Sequence, residues 1–217
     1  MTDYAVRRDR MIERDIVGRG IRDVGVIEAM RSVPREEFVP PTRRRAAYDD
    51  APLPIGRGQT ISQPYIVALM LEALELDVDG RSEAALDVGT GSGYAAAILS
   101  LLVDRVYSIE RHRKLAREAA ERFERLGYDN IEVRHGDGTR GWPEHAPFAA
   151  ILVSAAAPVA PPALKEQLAV GGRLVVPVAA SAFGQRLLKI TRVAEDQYEQ
   201  DTLTAVRFVP LVSDERS

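Results

Sequence analysis

The sequence predicts a doubly wound, mostly parallel α/β sheet with an N-terminal helical cap and an antiparallel hairpin at its C-terminal end. Three observations predict it. From Ala84 onward, short apolar stretches alternate with helical ones, the pattern of strands buried on both faces by crossover helices. A glycine-rich turn, Gly89-Thr90-Gly91-Ser92-Gly93, stands between the first of these strands and the next helix, where an open α/β sheet places a ligand. Residues 1–63 show helical spacing and Pro/Gly-rich loop but no such alternation. The expectation is one Rossmann-like domain, 1–217, divided into a cap and loop (1–63) and an α/β core (64–217).

The elements follow in order. Asp3 to Gly20 is charged, with Met11, Ile12, Ile16 and Val17 on one face, and reads as an amphipathic helix closed by Gly18 or Gly20. Val24, Ile27 and Met30 continue at helical spacing until Pro34 stops the second helix. Pro40 to Gly58 is dense in Pro and Gly and reads as loop. Pro64 opens a helix carrying Ile66, Met70 and Leu74. Strands are expected at Ala84–Val88, Arg105–Ile109, Ile131–Arg134, Ala149–Val153 and Arg173–Val178. Helices are expected at Tyr94–Leu102, His112–Leu126 and Pro162–Leu168. Leu187–Val193 and Thr202–Val209 read as two strands joined by the polar segment Ala194–Asp201.

Composition narrows the function. The 217 residues hold 29 Lys+Arg, 32 Asp+Glu and no cysteine, for a net charge of −3. The lack of cysteine excludes disulfides, thiolate metal sites and a thiol nucleophile. A pI near 5.7 disfavours nucleic acid and anionic membrane as partners. No apolar run approaches the roughly 18 residues of a membrane span. Met1 to Arg22 has no apolar signal-peptide core, so the cytoplasm is expected. The cations are 26 Arg against 3 Lys, which reads as GC-rich codon bias. His112, His135 and His145 lack metal-ligand spacing and read as surface or turn residues. Trp142 reads as packing, and Arg43-Arg44-Arg45 as a solvated face.

The glycine turn distinguishes ligands. A dinucleotide fingerprint is G-x-G-x-x-G; here the third glycine comes one residue early, and Asp87 stands two residues before the first. A carboxylate there repels pyrophosphate and suits a ligand with a positive centre, such as the α-ammonium of S-adenosylmethionine. Glu110 ends the second strand, where a carboxylate accepts ribose hydroxyls; it equally favours the N-terminus of the following helix. Asp137 follows the third strand, within reach of an adenine amino group; Asp137-Gly138 is equally an ordinary turn pair. Three acids at three successive strand ends match the ligand edge of an open sheet. Upstream, Ser62 precedes the Pro64 helix and on spacing alone reads as a helix cap.

Pro54-Ile55-Gly56 followed by Gly58-Gln59-Thr60-Ile61-Ser62-Gln63-Pro64 carries a more specific signal. Together with Leu86 to Tyr94, Val106 to Arg111, Gly136 to Thr139, Ala155 to Pro158, Gly171 to Leu174 and Phe208 to Leu211, it resembles the protein-L-isoaspartate O-methyltransferase family over nearly the whole chain. Two departures stand out: Ala149 replaces a frequent Asp, and Ala95 a frequent polar residue. The resemblance implies a class I methyltransferase fold. It implies methyl transfer from S-adenosylmethionine, leaving S-adenosylhomocysteine, to the α-carboxylate of L-isoaspartyl residues in damaged proteins and peptides. The ester then recloses to a succinimide and initiates repair. It further implies Gln63, Asp87, Gly89, Gly91, Ser92, Gly93, Glu110, Arg111, Asp137 and Gly138 as cofactor contacts, and Ile61, Val209 and Pro210 as peptide contacts. Ser62 is the catalytic candidate, donating a hydrogen bond to the acceptor carboxylate, with amides of the Pro64 helix adding to the anion site. No metal is implied, and a monomer is expected. Two rivals remain: a same-fold methyltransferase with another acceptor, and a non-catalytic cofactor-binding module or dehydrogenase.

Overall fold

The computed structural model describes residues 3–76, 82–181 and 184–213. The chain opens with α1 (Tyr4–Met11), whose N-terminus is capped by the Asp3 carboxylate accepting from the Ala5 and Val6 amides. The single amphipathic helix expected up to Gly20 is instead three kinds of coil. After α1 the chain widens into a π-turn over Ile12–Ile16, tightens to 3₁₀ over Val17–Arg19 and ends at Gly20 with φ 102°. The wide turn brings Met11, Ile12 and Ile16 inward together, all essentially buried. Helix α2 (Val24–Ser32) is capped by Asp23 and stops at Val33, before Pro34.

The segment read as loop holds more structure than its Pro/Gly content suggests. Pro41–Ala46 forms a 3₁₀ helix, and β1 (Leu53–Gly56) pairs antiparallel with β2 (Gln59–Ile61). Pro54 is tolerated because this hairpin is a sheet of its own with open edges. Helix α3 (Pro64–Glu72) follows.

The main sheet comprises β3 (Ser82–Val88), β4 (Val103–Glu110), β5 (Ile131–His135), β6 (Phe148–Val153), β7 (Leu168–Ser181), β8 (Gly184–Ala194) and β9 (Gln197–Val206), in spatial order β5-β4-β3-β6-β7-β8-β9. Strands β5 to β7 in that order are parallel; β8 and β9 are antiparallel. Helices α4 (Tyr94–Leu99), α5 (Arg113–Leu126) and α6 (Pro162–Glu166) connect the parallel strands, with short 3₁₀ turns alone between β5 and β6. Alternate residues of β6 serve opposite cores. Ala150 and Leu152 join the one that includes the cap, and Ile151 and Val153 join the other. Strands β4 and β5 are added on one side of β3, and β6 and β7 on the other, so a crevice opens outside the carboxyl ends of β3 and its neighbours.

The last strand departs from expectation. It begins at Gln197 and stops at Val206, and only Glu195 and Asp196 separate it from β8. Its polar residues lie on an exposed edge strand, where solvent replaces a neighbour. The Arg192 side chain holds the turn by donating from Nε to the Glu195 carbonyl at 3.0 Å. Val209 and Pro210 therefore lie beyond β9. No helix among the described residues is long and apolar enough to cross a membrane.

Candidate active site

The site is built at the ends of β3 and β4. The chain leaves β3 through Gly89, Gly91 and Gly93, at φ 93°, 53° and 89°, a left-handed path that side chains resist. The Gly89 amide donates to the Ile109 carbonyl at 2.8 Å, holding the turn against β4. Asp87, 1% exposed, lies beneath this turn. Its Oδ2 accepts from Ser108 Oγ at 2.6 Å, Ser108 Oγ lies 2.5 Å from Thr90 Oγ1, and Asp87 Oδ1 is buried with no partner among the described residues. Burial pushes the Asp87 carboxyl up to about 7, with Glu110 adding repulsion and the Ser108 hydrogen bond opposing both.

Glu110 fills the helix-start role that the sequence offered as one alternative. Its Oε2 accepts from the Gly91 amide at 2.8 Å and its Oε1 from the His112 amide at 2.8 Å, so it ties the glycine turn to the start of α5. Each oxygen retains a second lone pair for a ligand hydroxyl. Asp137 turns inward on its own chain: Oδ1 accepts from the Thr139 amide at 2.9 Å and hydroxyl at 2.7 Å, capping a 3₁₀ turn. Gly138, beside it, faces the crevice.

The crevice, counted with its open mouth, spans about 1030 Å³. Gly89, Gly91, Ser92, Glu110, Arg111 and Gly138 line it, together with Ile61 at the end of β2, Ser62 just after it, and Val209 and Pro210. The segment of Val209 and Pro210 is held by Ala156, whose amide donates to the Val209 carbonyl at 2.8 Å and whose carbonyl accepts from the Leu211 amide at 2.7 Å. Four predicted residues are not on the crevice wall. Asp87 and Asp137 lie behind it. Gly93 packs against α5, where a Cβ would stand 2.5 Å from the Phe123 ring. Gln63 donates from Nε2 to Asp50 Oδ2 at 3.4 Å.

Ser62 does not cap α3. Gln63 holds the N-cap position without a side-chain bond, and the Ser62 hydroxyl makes no hydrogen bond among the described residues. The expected help from α3 amides is overturned. Pro64 has no N–H, Tyr65 donates to Asp50 Oδ1 at 3.1 Å, and Ile66 and Val67 donate to the Gln63 carbonyl. The Asp50 carboxylate arrives first at the positive end of the helix.

Comparison with known proteins shows the family. The family model for protein-L-isoaspartate(D-aspartate) O-methyltransferase matches residues 6–216. The chain belongs to this family. A protein-L-isoaspartate O-methyltransferase 2 from Pelobacter propionicus is 59% identical over 96% of this chain and 92% of the relative. A protein-L-isoaspartate O-methyltransferase 1 from Rhodopseudomonas palustris is 53% identical over 99% of this chain and 86% of the relative. Among solved structures, a Plasmodium falciparum protein described as a protein-L-isoaspartate O-methyltransferase, in complex with S-adenosyl-L-homocysteine, superposes with a TM-score of 0.81. It is 28% identical over 94% of this chain and 98% of its own.

In this isoaspartate methyltransferase, several site residues carry no legible pattern. Ser108 had one weak signal, a hydroxyl in an apolar strand, and it holds Asp87. Arg122 on α5 donates from Nη1 to the Ser92 carbonyl at 2.8 Å and from Nε to the Glu37 carbonyl at 2.9 Å, joining the glycine turn to the cap. Arg35 is wholly buried and donates from Nη2 to the Ser62 carbonyl at 2.7 Å. Nothing in its local sequence separates it from a surface arginine.

Proposed function

We propose that this chain methylates the free α-carboxylate of L-isoaspartyl residues with S-adenosylmethionine, opening the route back to aspartate through a succinimide. The observation that carries the reading is that Ser62, its hydroxyl making no hydrogen bond among the described residues, lines the same crevice as Gly89, Gly91 and Glu110. The residues fit the methyl donor. A buried carboxylate oxygen without a partner, at Asp87, favours a positively charged ligand and disfavours pyrophosphate. That argues against the dehydrogenase alternative.

When bound, S-adenosylmethionine supplies a methyl carbon already activated by sulfonium charge. The chain then has little proton chemistry to do. The acceptor carboxylate, with an ordinary pKa of about 3.9, arrives ionised at neutral pH. Ser62 donates to one of its oxygens and aims the other. The glycine turn, Glu110 and Gly138 fix the donor's position, with Ser92 and Arg111 beside them. Asp87 acts from beneath the turn, Asp137 and Gln63 shape the loops carrying Gly138 and Ser62, and Gly93 sets the approach of α4 to α5. Ile61, Val209 and Pro210 flank the peptide. Attack merges an anion with a cation, so charge disperses. Alignment and exclusion of water supply most of the acceleration.

The finer setting belongs to the same proposal: a cytoplasmic monomer acting on isoaspartyl proteins and peptides, without nucleic acid or membrane. The test offers labelled S-adenosylmethionine with paired peptides carrying Asp or L-isoAsp at one position. Methylation confined to the isoAsp peptide supports the reading; equal or absent methylation moves the acceptor to another class.

A further inference from the structure

The Arg35 guanidinium is buried without a carboxylate. It makes no ion pair among the described residues and is 0% exposed. Nε donates to the Ala47 carbonyl at 2.7 Å and Nη2 to the Ser62 carbonyl at 2.7 Å, while Nη1 has no partner among the described residues. Its central carbon stands 4.7 Å from the centroid of the Tyr94 ring, the first residue of α4 after the glycine turn. The Tyr94 hydroxyl is likewise buried with no hydrogen bond among the described residues, the Arg35 charge being its main electrostatic partner, and Phe38 packs edge-on against its ring, 5.6 Å between centroids.

This arrangement is a poor choice for stability alone. Taking a guanidinium out of water costs several kcal/mol unless paired, and the guanidinium keeps its charge when buried. Two carbonyls and one ring face solvate it only in part. Two consequences follow for the residue bearing the uncommitted hydroxyl. The Ser62 backbone is fixed by a short bond from a group itself anchored at Ala47 and Tyr94. A positive charge with no ion-pair partner among the described residues also stands within hydrogen-bond reach of the Ser62 carbonyl, offset only from farther off by the Asp50 carboxylate, in a region of low dielectric where charge acts strongly. The α3 amides are already engaged by Asp50 and Gln63, so the cation replaces them as a fixed source of positive potential for an arriving carboxylate.

We propose that Arg35 is a positioning residue for the acceptor carboxylate: it acts through Ser62, holding that residue's backbone at the crevice wall and supplying the positive field behind it. Arg35 is absent from the crevice wall itself, so it does not touch substrate. The inference rests on the assignment of Ser62 to substrate.

A double-mutant cycle tests it. Arg35→Lys keeps the charge but reaches only one of the two carbonyls; Arg35→Met removes the charge. The readouts are kcat/KM for an isoAsp peptide and Kd for S-adenosylhomocysteine. In the otherwise unchanged protein, Arg35→Lys lowers kcat/KM about 10-fold and Arg35→Met about 100-fold, comparable to losing a hydrogen bond to a charged group. Affinity for S-adenosylhomocysteine stays within about twofold. In a Ser62→Ala background the Arg35→Lys factor falls below about threefold, because the hydroxyl whose position it sets is gone, while Arg35→Met keeps only the part of its factor that comes from the field. Equal factors in both backgrounds, or affinity falling in step with turnover, overturn the proposal. So does failure of both Arg35 variants to fold, which assigns the residue to the fold. Full activity of Ser62→Ala alone instead overturns the reading of Ser62, so the two failures are distinguishable.

Discussion

Ser62 and Asp87 are opposite kinds of site residue. Ser62 contributes one uncommitted donor, so its removal costs one hydrogen bond to a carboxylate. Ser62→Ala lowers turnover about 10- to 150-fold while affinity for S-adenosylmethionine stays near the original; steady-state kinetics beside calorimetric binding check it, and unchanged turnover removes Ser62 from the mechanism. Asp87 is strained by burial. Its carboxyl is raised from an ordinary 3.8 to about 7, so between those values the folded chain holds a proton that the unfolded chain has lost. This group's contribution to stability is therefore present below about 4, falls as pH climbs through about 7, and leaves a standing penalty above it. Asp87→Asn raises the melting midpoint of the ligand-free protein at pH 8 by about 2–4 °C, for about 1 kcal/mol in a chain of this size. It also shrinks the further rise caused by S-adenosylhomocysteine. A midpoint lower than the original at pH 8 contradicts the assignment. The acids at the strand ends were legible because a loop motif and strand order locate them. Arg35 and Arg122 were not, because their role is to reach backbone carbonyls of segments remote in sequence. No local spacing encodes such a reach.

At the scale of elements, periodicity located the parallel strands well because both faces are apolar. It failed at the two ends of the chain. The opening helix changes pitch at Ile12, where the sequence keeps its helical spacing and shows no Gly or Pro to mark the change. Strand β9 is an edge strand whose polar residues resemble a loop. The glycine turn also had a second purpose hidden from sequence. Gly91 faces the crevice, but Gly93 is required by helix packing, since a Cβ there meets Phe123. Gly93→Ala destabilises by about 1–3 kcal/mol, through overpacking and a positive φ. Adding Phe123→Leu restores part of the loss, because it clears the clash and leaves the dihedral strain. Thermal melts of the single and double variants check this; no recovery in the double variant makes the strain the whole effect.

At the scale of the molecule, the cap and the α/β core share one interior. Met11, Ile16 and Met30 belong to the same buried cluster as Leu71, Ile98 and Leu152, which supports reading 1–217 as one domain. Calorimetry is expected to show one cooperative transition; two separable ones would make the cap an independent unit. The arginine excess gains a structural reading at this scale. Arg35, Arg122 and Arg192 each bridge two or more carbonyls, a use of the forked guanidinium that lysine does not share.

The crevice wall at Val209 and Pro210 belongs to a segment that has left the outer edge strand and returned, past β8 and β7, to Ala156. Ser62, on the same crevice, lies far earlier in the chain. The site therefore closes a long loop, and such closures carry an entropic cost during folding. A chain refolding from denaturant is therefore expected to regain enzymatic activity after helicity; activity returning together with or ahead of helicity contradicts this.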